Sequence, residues 1–151
     1  MLNRRESLKQ SLAVAGLLGA TGLFPQFAWA FNKSAFEAKS IAEAVKAYGG
    51  AAPVESKDVT LTAPDIAENG AVVPIAASTQ LPGVKKMAFM IEKNPTTLAG
   101  VFEFTEVVET SIATRVKMAQ TSNVLAVAIM GDGKVLYAAK EVKVTLGGCG
   151  G

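Results

Sequence analysis

Cys149 offers the only thiol in this chain, and it stands in Gly147-Gly148-Cys149-Gly150-Gly151. The chain has one cysteine and no histidine. It therefore cannot assemble a Ser-His-Asp triad, a cysteine-histidine pair, a histidine metal site, a four-cysteine zinc site, an iron-sulfur cluster or an internal disulfide on its own. A cysteine nucleophile needs a nearby cation or base to hold it as thiolate. The nearest cation in sequence is Lys143, which on an extended strand lies about 20 Å away. A carboxylate at Gly151 would oppose ionisation further. A thiol with the reference pKa of about 8.5 is mostly protonated at neutral pH.

A sluggish thiol at maximal exposure suits a carrier better than an enzyme, because partner enzymes can supply the base, metal or redox centre. Glycines on both sides leave the arm without Cβ atoms, thin enough for a narrow channel and free to bend around the sulfur. Residues 147–151 are thus expected to swing from the domain, with Gly147, Gly148, Gly150 and Gly151 giving flexibility and Cys149 the point of covalent attachment. Two alternatives stay open: a structural module cross-linked through an interchain disulfide at Cys149, and a disordered tail with an incidental cysteine.

Residues 1–30 have the pattern of an export signal. Arg4 and Arg5 are followed by Leu8 and Lys9, an apolar run extends from Leu12 to Phe24, and Ala28-Trp29-Ala30 offers a small-x-small cleavage site. The arginine pair fits a twin-arginine signal, with Ser7 where that signal usually carries Phe, so the general secretory route stays open. An uncleaved anchor is the other alternative, although the run falls short of the roughly 20 apolar residues a spanning helix needs. The leader carries Arg4, Arg5, Lys9 and Glu6 among 15 basic and 13 acidic residues, which leaves 12 of each after cleavage. A neutral mature chain lacks the clustered cations that nucleic-acid binding requires.

The elements that must position the arm occupy residues 31–146. Ser34-Ala35-Phe36-Glu37 has a capping-box pattern, and Ala38, Ile41, Val45 and Tyr48 recur at helical spacing until Gly49-Gly50, which predicts one amphipathic helix. Seven strands follow, over Val59 to Ala63, Ala71 to Ser78, Lys85 to Glu92, Val101 to Val107, Ile112 to Ala119, Asn123 to Met130 and Lys134 to Leu146. Asn69-Gly70 and Asp132-Gly133 suit tight hairpins, and Asn94-Pro95 and Leu81-Pro82-Gly83 suit longer loops. The expected fold is mainly β, an immunoglobulin-like antiparallel sandwich with one amino-terminal helix and a flexible carboxyl-terminal arm. Pro74 predicts an edge or bulge for its strand. Residues 124–130 are apolar on both alternating faces, so either the helix or a partner must cover the second face. Glu103, Glu106 and Glu109 form an acidic cluster expected to be solvated. Glu141 to Leu146 alternates cleanly, which makes Leu146 the last anchored residue.

The terminal Gly-Gly-Cys-Gly-Gly after Val144-Thr145-Leu146, the twin-arginine-like leader, Ser56-Lys57-Asp58-Val59-Thr60-Leu61-Thr62-Ala63-Pro64 and Ala67-Glu68-Asn69-Gly70 together resemble the SoxY family of sulfur carriers, which serve the periplasmic thiosulfate-oxidising Sox system. The resemblance implies a periplasmic carrier, itself without cofactor or metal, on which Cys149 bears a thiosulfonate and then a persulfide. It implies a stable heterodimer with SoxZ, a second immunoglobulin-like subunit that could cover the face of residues 124–130. It also implies transient partners: a haem c-type sulfur transferase, a manganese sulfohydrolase and a sulfane dehydrogenase, with no nucleic acid and no stable membrane insertion. Ubiquitin-like sulfur carriers also end in Gly-Gly, but they have no export signal, and their helix follows the first hairpin.

Overall fold

The computed structural model describes residues 32–147. The leader with Arg4 and Arg5 lies outside the described residues, as do Gly148, Cys149, Gly150 and Gly151.

Two short helices open the domain where the periodicity predicts one: α1 (Lys33–Glu37) and α2 (Ile41–Ala47). The cap of α1 is Asn32, whose side-chain oxygen accepts from the Ala35 amide, so Ser34 falls inside the helix. Ala38 then turns to an extended conformation. Ser40 starts α2 as a new N-cap, accepting from the Glu43 amide while Glu43 Oε2 accepts from the Lys39 amide. At the far end Gly49 takes φ +74°, and the Gly49 and Gly50 amides bond to the carbonyls of Lys46 and Val45. That pattern is a Schellman stop, and the positive φ favours glycine there.

The strands are β1 (Val54–Glu55), β2 (Val59–Thr62), β3 (Ile66–Ala67), β4 (Val73–Thr79), β5 (Val84–Ile91), β6 (Leu98–Glu103), β7 (Ser111–Val116), β8 (Ser122–Met130) and β9 (Val135–Val144). They form a large sheet in the order β1-β9-β8-β5-β6, with β3 added to β9, and a small sheet β2-β4-β7. The seven expected strands are all present. The two additional ones, β1 and β3, run parallel to β9 and are two residues long. This is the expected sandwich, with the helices as a third layer.

Strand β8 shows why. Val124, Ala126 and Ala128 face the small sheet and pack with Val73, Ile75, Met87, Phe89 and Val142. Leu125, Val127 and Ile129 face the opposite way and pack with Ala35, Ala38, Ala44 and Val45. Both faces are closed within the chain, each large buried side chain contributing about 1.5–3 kcal/mol. The expectation that SoxZ covers the outer face of residues 124–130 is therefore corrected: the helices occupy it.

One of the two hairpin expectations holds and the other changes. Asp132-Gly133 makes the tight β8–β9 hairpin, with Gly133 at φ +87°. Asn69-Gly70 makes no hairpin, because β3 joins β9 in the large sheet while β4 belongs to the small one. Asn69 instead forms a local turn, its Oδ1 accepting from the Ala71 amide at 2.8 Å, as the chain crosses between sheets. Pro74 lies on the central strand of the small sheet, contrary to the edge expected. The β2 ladder ends at Thr62↔Ala76, so Pro74 is flanked by β7 alone. Glu103 and Glu106 pair with Lys86 and Lys85 on an exposed surface, as a solvated cluster would.

Candidate functional site: the root of the carboxyl-terminal arm

Strand β9 delivers the arm, and its last residues are gripped from two sides. On one side the segment 65–70 runs alongside as a strap. The Lys143 amide donates to Asp65 O at 3.0 Å, the Thr145 amide to Ala67 O at 3.1 Å, and the Gly70 amide to Leu146 O at 2.7 Å. Thr145 Oγ1 adds a bond to Glu68 O at 2.9 Å. On the other side the Val144 amide donates to Thr121 Oγ1 at 2.9 Å. Leu146 is anchored as expected, but through its backbone: Val142 is buried and Val144 half-buried, while the Leu146 side chain is 65% exposed.

The strap itself is tied to the strand beneath it. Lys140 Nζ donates to Ala63 O at 2.6 Å and pairs with Asp65 Oδ1 at 2.9 Å. The hydrogen bond and the charge of Lys140, with Lys143 adding to the field, hold the Asp65 carboxyl below its ordinary value.

A third segment, residues 117–121, closes the root. Asn94 Nδ2 donates to Lys117 O at 2.7 Å and Asn94 Oδ1 accepts from the Ala119 amide at 2.9 Å, so one side chain holds this backbone at residues 117 and 119. The Met118 amide donates to Gly70 O at 2.7 Å. Gly147 lies against this platform so closely that a Cβ built on it would overlap the Ala119 carbonyl oxygen. Glycine is required there by space.

The charges outside the root are cationic on the β7 side. Arg115 is the only arginine beyond the leader. Arg115 and Lys117 are exposed, and among the described residues neither side chain makes an ion pair or hydrogen bond. Arg115 lines a cavity of about 490 Å³ on the outer face of the small sheet, otherwise walled by uncharged residues that include Pro64, Pro74, Ala76 and Ala113. No cluster of three or more potential metal ligands exists among the described residues, and none of their helices is long and apolar enough to cross a membrane.

Of the attachment, arm and leader residues expected from sequence, only Gly147 lies among the described residues. The strap, Asn94 and Arg115 were missed. Asn69-Gly70 and Asn94-Pro95 stood out as turn signals, but turn chemistry does not say which distant backbone a loop will hold.

The model of the family described as sulfur oxidation protein SoxY matches residues 44–149, from within α2 through the strap and root to Cys149. The chain belongs to the SoxY family. The sulfur carrier protein SoxY from Chlorobium limicola f thiosulfatophilum is similar in structure, with a TM-score of 0.60 and 32% identity over 68% of this chain and 92% of that one. A variant of superoxide reductase (neelaredoxin) from Ignicoccus hospitalis matches with a TM-score of 0.51 at 16% identity, over 57% of this chain and 78% of that one, which shows a shared fold alone. No curated protein sequence matches the chain. Membership of the SoxY family gives the chain a role in sulfur oxidation within the Sox system.

Proposed function

We propose that the chain is a non-enzymatic carrier that holds sulfur intermediates covalently on Cys149 and presents them to partner enzymes. The observation that carries this is the family match, which runs through the root and ends on Cys149; the similar Chlorobium protein is named a sulfur carrier. The geometry fits, since a fixed exit point followed by a glycine-flanked thiol keeps the domain still while the sulfur travels.

The cycle begins with the Cys149 thiol and thiosulfate joining as an S-thiosulfonate, RSH + S₂O₃²⁻ → RS–SSO₃⁻ + H⁺ + 2e⁻, the electrons passing to a haem c-type sulfur transferase. Hydrolysis by a manganese sulfohydrolase cleaves the S–S bond to the sulfonate, RS–SSO₃⁻ + H₂O → RS–SH + HSO₄⁻. The persulfide sulfur is then oxidised in place, RS–SH + 3H₂O → RS–SO₃⁻ + 7H⁺ + 6e⁻, the electrons passing to a sulfane dehydrogenase, and a second hydrolysis, RS–SO₃⁻ + H₂O → RSH + HSO₄⁻, frees the carrier. In this scheme residues 1–30 are a twin-arginine leader read through Arg4 and Arg5, residues 31–146 are the domain, and residues 147–151 are the arm. The carrier works in the periplasm as a heterodimer with SoxZ, which must dock elsewhere than on the helix-covered face of β8.

Replacing Cys149 by Ser in cells that grow on thiosulfate tests the proposal. The variant should fold with unchanged Tm and abolish thiosulfate consumption; wild-type consumption in the variant would refute carriage on this residue.

A further inference from the structure

We propose that Asn69-Gly70 is a self-modification site, at which the Gly70 nitrogen closes on the Asn69 side chain to a succinimide that water opens to aspartate or isoaspartate. The hydrogen bond from Gly70 to Leu146 gates the reaction. The inference is independent of what Cys149 carries. Asn69 is the only asparagine that precedes glycine; the others precede Pro95, which has no amide proton, or residues whose Cβ crowds the nitrogen. Asn69 is exposed to water, whereas Gly70 is buried.

The bonds at this turn act in opposite directions. The Ala71 amide donates to Asn69 Oδ1 at 2.8 Å. That contact polarises the side-chain carbonyl and stabilises the negative oxygen that forms when its carbon is attacked. The attacking group is differently placed: the Gly70 amide donates to Leu146 O at 2.7 Å, while the Gly70 carbonyl accepts from the Met118 amide at 2.7 Å. As long as those bonds hold, the Gly70 nitrogen is fixed in position and keeps its proton, because a carbonyl is no base. The electrophile is prepared and the nucleophile is held. Opening of the tie to Leu146 exposes the Gly70 amide to hydroxide and completes the site. Asp132-Gly133 has the same turn, with the Lys134 amide donating to Asp132 Oδ1 at 2.9 Å, but an ionised carboxylate has no ammonia to release.

Hydroxide removes the Gly70 amide proton, and the nitrogen bonds to Asn69 Cγ. The Cγ–Nδ2 bond breaks, and Nδ2 leaves as ammonia after taking a proton from water. Water then adds to one of the two imide carbonyls. Cleavage of the new N–Cγ bond gives aspartate on an unchanged backbone; cleavage of the original peptide bond gives isoaspartate, with Cβ in the main chain. Either way the sum is RCONH₂ + H₂O → RCOO⁻ + NH₄⁺, without oxidation or reduction. Aspartate keeps an oxygen for the Ala71 amide and leaves the tie intact. Isoaspartate lengthens the chain between Glu68, whose carbonyl accepts from Thr145 Oγ1, and Gly70, which is pinned to Leu146 and Met118. These bonds cannot all keep their geometry, and the root loosens for good.

The test incubates the mature protein under reductant at mildly alkaline pH and maps the tryptic peptide of residues 58–85 for conversion of Asn69 from amide to acid. Gly70 amide exchange is followed in parallel. Wild type is compared with Gly147→Ala, with Thr145→Val, which deletes the bond to Glu68 O without adding bulk, and with wild type unfolded in denaturant. Each variant should speed Asn69 conversion by the factor by which it speeds Gly70 exchange, roughly tenfold for Gly147→Ala, and unfolding should speed it most. Gly70 protection should fall in the isoaspartate form isolated by ion exchange and persist in Asn69→Asp. Conversion in folded wild type as fast as in the unfolded chain, or unchanged in a variant whose Gly70 exchange has accelerated, would overturn the gate. An Asn69 that stays unconverted in both variants would overturn the site itself.

Discussion

The Gly70 amide lies 2.7 Å from the Leu146 carbonyl oxygen, and the Gly70 carbonyl accepts from Met118 at the same distance. One loop residue thus ties the end of β9, in the large sheet, to the chain leaving β7, in the small one. In the carriage proposed above, this tie would be the fixed base from which the arm leaves the domain.

Gly147→Ala should loosen that base. The added methyl overlaps the Ala119 carbonyl, and relief requires the backbone of residues 146–147 to move away, at a cost typical of overpacking, about 1–3 kcal/mol. Much of this will appear as local opening. Native-state hydrogen exchange at the Gly70 amide should accelerate roughly tenfold, since 1.4 kcal/mol corresponds to a factor of ten. An unchanged Gly70 rate would mean that the contact with Ala119 does not constrain the root.

Acid should release the strap. The Asp65 carboxyl is held below its ordinary value of 3.8 by its hydrogen bond with Lys140 and by the charges of Lys140 and Lys143. A group with a lowered folded value contributes stability above its unfolded pKa and loses that contribution as pH falls through the folded value. The contribution is therefore present above the ordinary value of 3.8 and is lost as pH falls from there through the lower folded value. The pair is exposed, so the global effect is small. Comparing Asp65→Asn with wild type from pH 6 to pH 2 should show a stability difference at pH 6 that closes in acid; a difference independent of pH would contradict this assignment.

A charge placed in β8 should unfold the domain without any partner's involvement. Ala126 is fully buried between the sheets and Leu125 is buried beneath the helices. Ala126→Glu should cost more than about 3 kcal/mol, as an unpaired carboxylate in an apolar core does. Leu125→Ala should cost about 2–5 kcal/mol. Thermal melts of the isolated mature chain decide the matter: a stable Ala126→Glu monomer defective only in association would restore the partner-covered face.

The parts of this fold legible in the sequence are those with a local period. Short runs between turn residues marked all seven longer strands, clean alternation marked the end of β9, and the two apolar faces of residues 124–130 marked a strand closed on both sides. The alternation could not say what closes the second face, since buried helix and buried interface select the same residue types. Strands β1 and β3 are two residues long and have no period to detect. The break at Ala38 was hidden because Ala38 and Ile41 keep helical spacing across it, while Ser40 interrupts the backbone. Glycines 147 and 148 look alike in sequence, yet the crowding at Gly147 arises from Ala119, brought there by a tertiary contact. Arg115 attracted no notice because its isolation from carboxylates exists only in three dimensions.

The intact mass of the mature protein from thiosulfate-grown cells, before and after reductant and beside Cys149→Ser, tests the central claim most directly. Carriage predicts added sulfur or thiosulfonate that reductant removes and that is absent from the serine variant. An unmodified thiol throughout, or only a reductant-sensitive species at twice the monomer mass, would contradict it, the latter in favour of an interchain disulfide.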